Sequence, residues 1–112
     1  MEINVRMEIL AILANDDEGI DQIVGILEYD FGNIVHKTQI SAEIKKLLAE
    51  RLICVAYYDK EYYDYADFYD KEYYDEEGYK WYEMTSKGRA AFEAFDWDTY
   101  FEEIKFLRKE ED

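Results

Sequence analysis

Proline is absent from this chain of 112 residues, and cysteine and histidine occur once each, as Cys54 and His36. A single cysteine excludes an intramolecular disulfide. Two isolated ligands cannot build a zinc site, and neither residue has the neighbours in sequence that nucleophilic catalysis needs. We therefore predict no metal, no cofactor and no enzymatic activity.

Glycine-rich phosphate loops and calcium-binding loops are also missing. The acidic stretches 16–19 and 96–98 lack the alternating ligands, central glycine and terminal glutamate of an EF-hand. No apolar run approaches the roughly 20 residues that cross a membrane, and the first residues lack the basic and apolar regions of a signal peptide. The expectation is a cytoplasmic protein without a membrane partner.

Positive charge is scarce and unevenly placed. The chain has 13 lysines and arginines against 28 acids, a formal net charge of −15, which disfavours contact of the whole molecule with polyanions such as DNA. Residues 36–58 and 78–92 each carry +2, whereas residues 1–35, 59–77 and 93–112 carry −7, −7 and −5. Only the two basic segments suit a polyanionic partner.

Hydrophobic residues, at 49% of the chain, and aromatic residues, at 18%, are abundant enough for one buried core. Apolar residues at helical spacing predict helices over 3–14, from about Ile20 to Phe31, and after Thr38 as N-cap. β-Branched and aromatic residues predict strands at 53–58 and 79–84, before a final helical region that Asp96 or Asp98 divides in two. We predict a single domain, 1–112, with a helical core at 3–51, an extended wing at 52–84 and a C-terminal helical region at 86–109.

Two stretches carry a resemblance to known proteins. "TQISAEIKKLLAERLI" at 38–53 is similar to the recognition helix and first wing strand of MarR-like and PadR-like transcription regulators, and "KWYEMTSKGRAAFEAF" at 80–95 is similar to their second wing strand and last helix. The resemblance implies an α+β winged helix-turn-helix fold, with three helices, a two-stranded β-ribbon wing and a C-terminal helix or helices. It also implies a homodimer formed through the C-terminal helix.

In DNA-binding members of this fold the third helix enters the major groove and the wing reaches the neighbouring backbone. On the predicted third helix, Gln39 and Ser41 suit base edges, and the lysines suit phosphates. The nine carboxylates of residues 59–77 oppose such binding, and a solvated helix face explains the same lysines. The candidate DNA-binding residues are His36, Lys37, Gln39, Ser41, Lys45 and Lys46.

The predicted wing repeats the six letters DKEYYD at 59–64 and 70–75, and ten of the twelve tyrosines lie between Tyr57 and Tyr82. Tyrosine offers a large, rigid contact area that keeps a hydroxyl for water or a partner, and interleaved acids suit a basic protein. Self-association by ribbon exchange and simple shielding of the wing are the alternatives. The candidate protein-binding residues are Tyr62, Tyr63, Asp64, Tyr65, Asp67, Tyr69, Asp70, Tyr73, Tyr74 and Asp75.

A long continuous ribbon is the first hypothesis for the conformation of this region, ahead of a partly disordered tip and a helix. If Tyr65 pairs with Tyr69 across a three-residue turn, Val55 faces Tyr79 and Ile53 faces Trp81. The same ribbon would place Asp59 opposite Asp75 and would bury Leu52, Cys54, Tyr82 and Met84 on one face.

Two functions follow from these patterns. The first is a non-enzymatic regulatory module whose acidic, tyrosine-rich wing binds a basic protein, in part by mimicking the charge of nucleic acid. The alternative is a transcription regulator that binds DNA with the third helix. The placement of charge favours the first, and the family resemblance favours the second.

Overall fold

A computed structural model describes residues 2–61, 73–75 and 77–108. Its first two helices are α1, Val5–Asn15, and α2, Ile20–Phe31. α1 begins at Asn4, whose side-chain oxygen accepts a hydrogen bond from the Met7 backbone N–H at 3.1 Å. α2 ends at Gly32, which has a φ of 63° that favours glycine, so the predicted limits of this helix are confirmed.

The third helix, α3, spans Lys37–Ala49 and follows a short 3₁₀ turn at Gly32–Ile34. Its N-cap is His36 rather than the predicted Thr38, which is an exposed residue in the first turn. The Gln39 side-chain oxygen accepts a hydrogen bond from the His36 backbone N–H at 3.0 Å, so a glutamine three residues on satisfies the cap. The helix therefore begins two residues earlier than the threonine indicated.

The wing contains two long antiparallel strands, β1, Ile53–Asp59, and β3, Gly78–Met84. The predicted register is wrong, because Ile53 pairs with Met84 and Val55 with Tyr82. Hydrogen bonds at the base of the wing decide this register: the Thr85 backbone N–H donates to the Leu52 carbonyl at 3.0 Å, immediately before β1 and after β3. A bulge at Ala56 then shifts the pairing, so that Tyr57 faces Trp81.

A short strand that the sequence did not indicate, β2, Tyr74–Asp75, pairs with the other edge of β3. Strand order is β1-β3-β2, with Asp75 opposite Gly78 and Asp59 opposite Tyr79. The predicted pairing of Asp59 with Asp75 in one continuous ribbon is therefore wrong. The predicted turn and the pair of Tyr65 with Tyr69 lie outside the described residues.

The core lies between the three helices and the inner face of this sheet. Leu52 and Tyr82 are buried as predicted and Met84 packs against the core, but Cys54 lies half-buried with its Sγ 3.5 Å from Glu83 Oε1. Cys54 follows the fully buried Ile53 in β1, and successive side chains of a strand point to opposite faces, so Cys54 points away from the core. The buried core residues of the helices are Met7, Ile9, Leu10, Leu13, Ile20, Ile23, Leu27, Phe31, Ile40, Ile44 and Leu47.

The C-terminal region divides into α4, Ser86–Ala94, and α5, Trp97–Ile104. Asp96, one of the two caps that the sequence allowed, caps α5 by accepting a hydrogen bond from the Thr99 backbone N–H at 3.1 Å, and Asp98 lies in the first turn. Tyr100 and Ile104 of α5 are buried, and the Tyr100 hydroxyl accepts a hydrogen bond from the Asn4 backbone N–H at 3.0 Å. α5 therefore packs against α1 of the same chain. Within the described ranges, no helix is both long and apolar enough to span a bilayer.

Candidate functional site

The outer face of α3 carries small side chains flanked by cations. Ile40, Ile44 and Leu47 point into the core, and Ala42 and Ala49 are exposed on the opposite side. Lys45 and Lys46 are exposed on either side of that small-residue line. Since an α-helix fits the major groove only when its backbone approaches closely, small central residues and peripheral lysines form an arrangement suited to DNA.

Gln39 and Ser41, the two predicted base-contacting residues, lie in different environments. Gln39 is exposed, and its carbonyl oxygen holds the His36 N-cap while its amide group carries two further N–H donors. Ser41 is half-buried, and its hydroxyl is hydrogen-bonded to the Tyr73 hydroxyl. Gln39 therefore stays a candidate for base contact, whereas Ser41 already has a partner from the wing.

Tyr73 is 4% exposed, which corrects its assignment to an open tyrosine surface. The Lys80 backbone N–H donates to the Tyr73 carbonyl at 2.8 Å, so the chain entering β2 is fixed to β3. That attachment brings the Tyr73 side chain onto α3, where its hydroxyl meets Ser41. Two residues predicted for separate surfaces thus contact each other, and the wing is joined directly to the third helix.

The only two acids of residues 37–51, Glu43 and Glu50, both face Arg6 of α1. Arg6 Nε lies 3.3 Å from Glu43 Oε2, and the Arg6 guanidinium also pairs with the Glu50 carboxylate. The hydrogen bond from Arg6 lowers the pKa of Glu50, and the same bond raises the pKa of Arg6. A cation from the first helix therefore offsets one of the two negative charges of the third, and Lys46 Nζ, 3.5 Å from Glu43 Oε1, contributes to the same cluster. With Arg6 included, α3 keeps a net positive charge from its lysines.

Positive charge continues beyond the end of α3. Arg51 follows the helix with a φ of 61°, and Lys87 Nζ of α4 donates to the Glu50 carbonyl at 3.0 Å. A cation at a helix C-terminus pairs with its unsatisfied carbonyls and its dipole. Arg51, Lys87 and Arg89 are exposed and were not among the predicted site residues. The signal was present in the charge of +2 on residues 36–58 and on 78–92.

Most of the predicted protein-binding surface falls where the structure gives no description. Of Tyr74 and Asp75 only the backbone is described, as strand β2. The remaining members outside the described residues are Tyr62, Tyr63, Asp64, Tyr65, Asp67, Tyr69 and Asp70.

A groove of about 700 Å³ lies on another side of the domain, between α1, α2 and α5. Ile12, Ile26 and Phe101 line it together with Arg108, which bridges Glu8 Oε1 at 2.9 Å and Asp30 Oδ2 at 2.8 Å. The Tyr100 hydroxyl donates to the other oxygen of Glu8 at 2.8 Å, and burial together with this bond raises the pKa of Tyr100. The charged network holds α5 against α1 and α2.

Comparison with known proteins finds a solved structure with a similar fold but no match by sequence. No protein-family model matches the sequence, and no curated protein matches it. Among solved structures, this chain is similar to a PadR family transcription regulator from hypervirulent Clostridium difficile, with a TM-score of 0.61 and 16% sequence identity over 92% of each chain. At that identity the likeness establishes the fold, and the predicted α+β winged helix-turn-helix architecture, similar to that of PadR-like regulators, is confirmed.

Proposed function

We propose that this protein is a winged-helix transcription regulator that binds DNA with the exposed face of α3. The observation that carries the proposal is the pairing of Glu43 and Glu50 with Arg6, because it offsets half of the negative charge that these two acids would otherwise present to phosphates beside Lys45 and Lys46. The likeness over 92% of both chains to a protein described as a transcription regulator supports the same function. Catalysis forms no part of this proposal.

The roles of the α3 residues follow from their positions. Lys37, Lys45 and Lys46 contact phosphates, Gln39 offers amide donors to base edges, and Ala42 allows the helix backbone to approach the groove. His36 and Ser41 act indirectly, His36 as the N-cap of the helix and Ser41 through its bond to Tyr73. Three phosphate contacts give a slope of log affinity against log salt of roughly −3.

The net charge of −15 limits how DNA can approach. Acidic segments repel the duplex, whereas α3 and the start of α4 attract it, so encounter is steered toward one side of the molecule. We expect weak binding to arbitrary sequence, and we expect a homodimer formed through α5 to raise the affinity by engaging two half-sites. Exposed Phe101 and the 88% exposed Phe106 offer apolar surface for that dimer. A cytoplasmic location fits this function.

The second candidate is a module that binds a basic protein through the acidic, tyrosine-rich wing. The nine acids against two bases of residues 59–77 favour it, since a DNA-contacting wing ordinarily places positive charge beside the phosphate backbone. The fold comparison favours DNA binding instead. A pull-down that loses its partner when Tyr62, Tyr63 and Tyr74 become alanine would support this candidate.

Fluorescence anisotropy with a labelled pool of random-sequence duplexes tests the DNA proposal. We expect affinity to fall steeply between about 50 and 200 mM salt, and Lys45→Glu to weaken binding at least about tenfold. Lys105→Glu is the matched control, since it makes the same charge change at an exposed site one residue after α5. Provided that size-exclusion chromatography shows the same oligomeric state as wild type, it should alter affinity less than about twofold. Equal effects of the two variants, or no binding at low salt, would overturn the proposal.

A further inference from the structure

The outer face of the sheet at the base of the wing bears an aromatic pair, an exposed tyrosine and a half-buried tryptophan. Tyr57 and Trp81 are cross-strand partners, and their rings stack with centroids 5.8 Å apart and planes 10° from parallel. Tyr57 is 48% exposed despite this stack. The bulge at Ala56 places Tyr57 on the same face as Cys54, which a regular strand would not do for residues three apart.

Carboxylates surround this pair, because the turn between α1 and α2 is fixed to the edge of β3. Glu18 and Tyr82 exchange two backbone hydrogen bonds, of 3.2 and 2.8 Å. The turn thereby brings Asp17 near Glu83 of β3, with Asp16 next to it in the chain. Burial and the negative charges of Glu83 and Asp16 raise the pKa of Asp17, which records how closely these groups approach.

The same group of acids also acts on the hydroxyl of Tyr57. Burial and then the charges of Asp17, Asp16, Asp59 and Glu18 raise the pKa of the Tyr57 hydroxyl. We call the surface formed by Asp16, Asp17, Tyr57, Trp81 and Glu83 the wing-root face.

Four acids elsewhere in the domain each have an arginine partner. Glu8 and Asp30 share Arg108, and Glu43 and Glu50 share Arg6. Within residues 2–61, 73–75 and 77–108, no lysine or arginine forms an ion pair with the carboxylates of Asp16, Asp17 or Glu83. Like charges held near one another repel, so a cation bound at this surface would lower the repulsion.

We propose that the wing-root face binds a basic segment of a protein partner, with an arginine side chain lying against Tyr57 and its guanidinium between Asp17 and Glu83. A guanidinium pairs with carboxylates through a planar fork and stacks on an aromatic ring, so this surface offers it both kinds of contact. Among the described residues, no group of His, Cys, Asp and Glu side chains is arranged to hold a metal ion, which favours a side-chain cation over a metal. The inference does not depend on DNA binding by α3.

A fluorescent peptide of alternating arginine and glycine is the probe, titrated into the full chain and followed by anisotropy. Tyr57→Ala and Asp17→Asn are each expected to weaken binding about tenfold, equivalent to about 1.4 kcal/mol. Matched controls are Tyr29→Ala, an exposed tyrosine on α2, and Glu103→Gln, an exposed acid on α5, which should each change affinity less than about twofold. Tyr57→Phe keeps the ring and should retain binding.

Three outcomes would overturn the proposal. An equal loss in Asp17→Asn and Glu103→Gln would mean general attraction to the acidic chain rather than a site. Absence of binding by the wild-type chain at low salt would exclude it outright. Amide chemical shifts that change at α5 or elsewhere in the domain while Tyr57, Asp17 and Glu83 stay constant would place the peptide on another surface.

Discussion

Replacing Tyr79 with phenylalanine tests whether the wing caps the second helix. Tyr79 lies on β3 and is 0% exposed. Its hydroxyl accepts a hydrogen bond from the Asp21 backbone N–H at 2.8 Å and donates to Gln22 Oε1 at 3.2 Å. The N-cap residue of α2 is Gly19, which has no side chain to cap with, and the Tyr79 ring fills the space where a Cβ of residue 19 would lie.

The expected loss follows from the groups left without a partner. Tyr79→Phe removes the acceptor of one backbone N–H at the helix start, and a lost N-cap bond costs about 1 kcal/mol. It also leaves a buried polar group unsatisfied, which costs about 1–3 kcal/mol. Because these describe overlapping parts of one network, we expect the free energy of unfolding to fall by about 2 kcal/mol and the Tm by roughly 8 °C or more.

Urea denaturation followed by far-UV circular dichroism measures this change, with an unaltered m-value as the sign that the unfolded state is unaffected. Tyr57→Phe is the control, because it makes the same chemical change on the half-exposed outer face of the same sheet and should stay within about 0.5 kcal/mol of wild type. If Tyr79→Phe matched that control, the proposed cap would not contribute and the reasoning would be refuted.

Three further predictions concern other contacts. A Cβ at residue 88 would collide with the Leu52 carbonyl, so Gly88→Ala should lower the free energy of unfolding by about 1–3 kcal/mol. Gly25 has open space around it in α2, so Gly25→Ala should raise the free energy of unfolding by roughly 0.5–1 kcal/mol. Chemical denaturation that ranks the two variants in the opposite order would contradict this packing. Folding raises the pKa of Tyr100, so as pH rises the unfolded chain loses this proton first, near pH 10, and the free energy of unfolding should fall at higher pH. Tyr100→Phe should make this alkaline fall in the free energy of unfolding shallower, and an unchanged slope against pH would contradict the prediction. Arg6→Gln should weaken duplex binding several-fold with a stability loss below about 1 kcal/mol, because it exposes two carboxylates of α3 to the phosphates; unchanged affinity in the anisotropy titration would remove the main support for the DNA proposal.

Features with a local cause were predictable from the sequence. α2 begins at Ile20 and ends at Phe31 because an apolar period of 3.6 residues lies between a turn and a glycine. Asp96 caps α5 because its side chain needs only a backbone N–H three residues away. The fold class followed from the order of such elements, and the pattern of 38–53 and 80–95 was sufficient to indicate it.

Features that depend on pairing between distant segments were not predictable. The register of the wing was assigned from an assumed turn near residue 67, but hydrogen bonds between Thr85 and Leu52 at the base decide it. The bulge at Ala56 and the strand at 74–75 leave no periodic signal, since each adjusts one or two residues to a partner strand. Sequence reasoning consequently grouped Tyr73 with exposed tyrosines although it is buried on α3.

The amino-acid sequence by itself determined which segments of this protein are basic and which are acidic, because net charge depends only on which residues are present. Only the tertiary structure decided which of those charges are neutralised. Arg6 reaches Glu43 and Glu50 across 37 and 44 positions of the chain, while Asp17 and Glu83, 66 positions apart, are brought together without an ion pair to any lysine or arginine of the described residues. Coulomb energy depends on distance in space and on burial, and folding sets both.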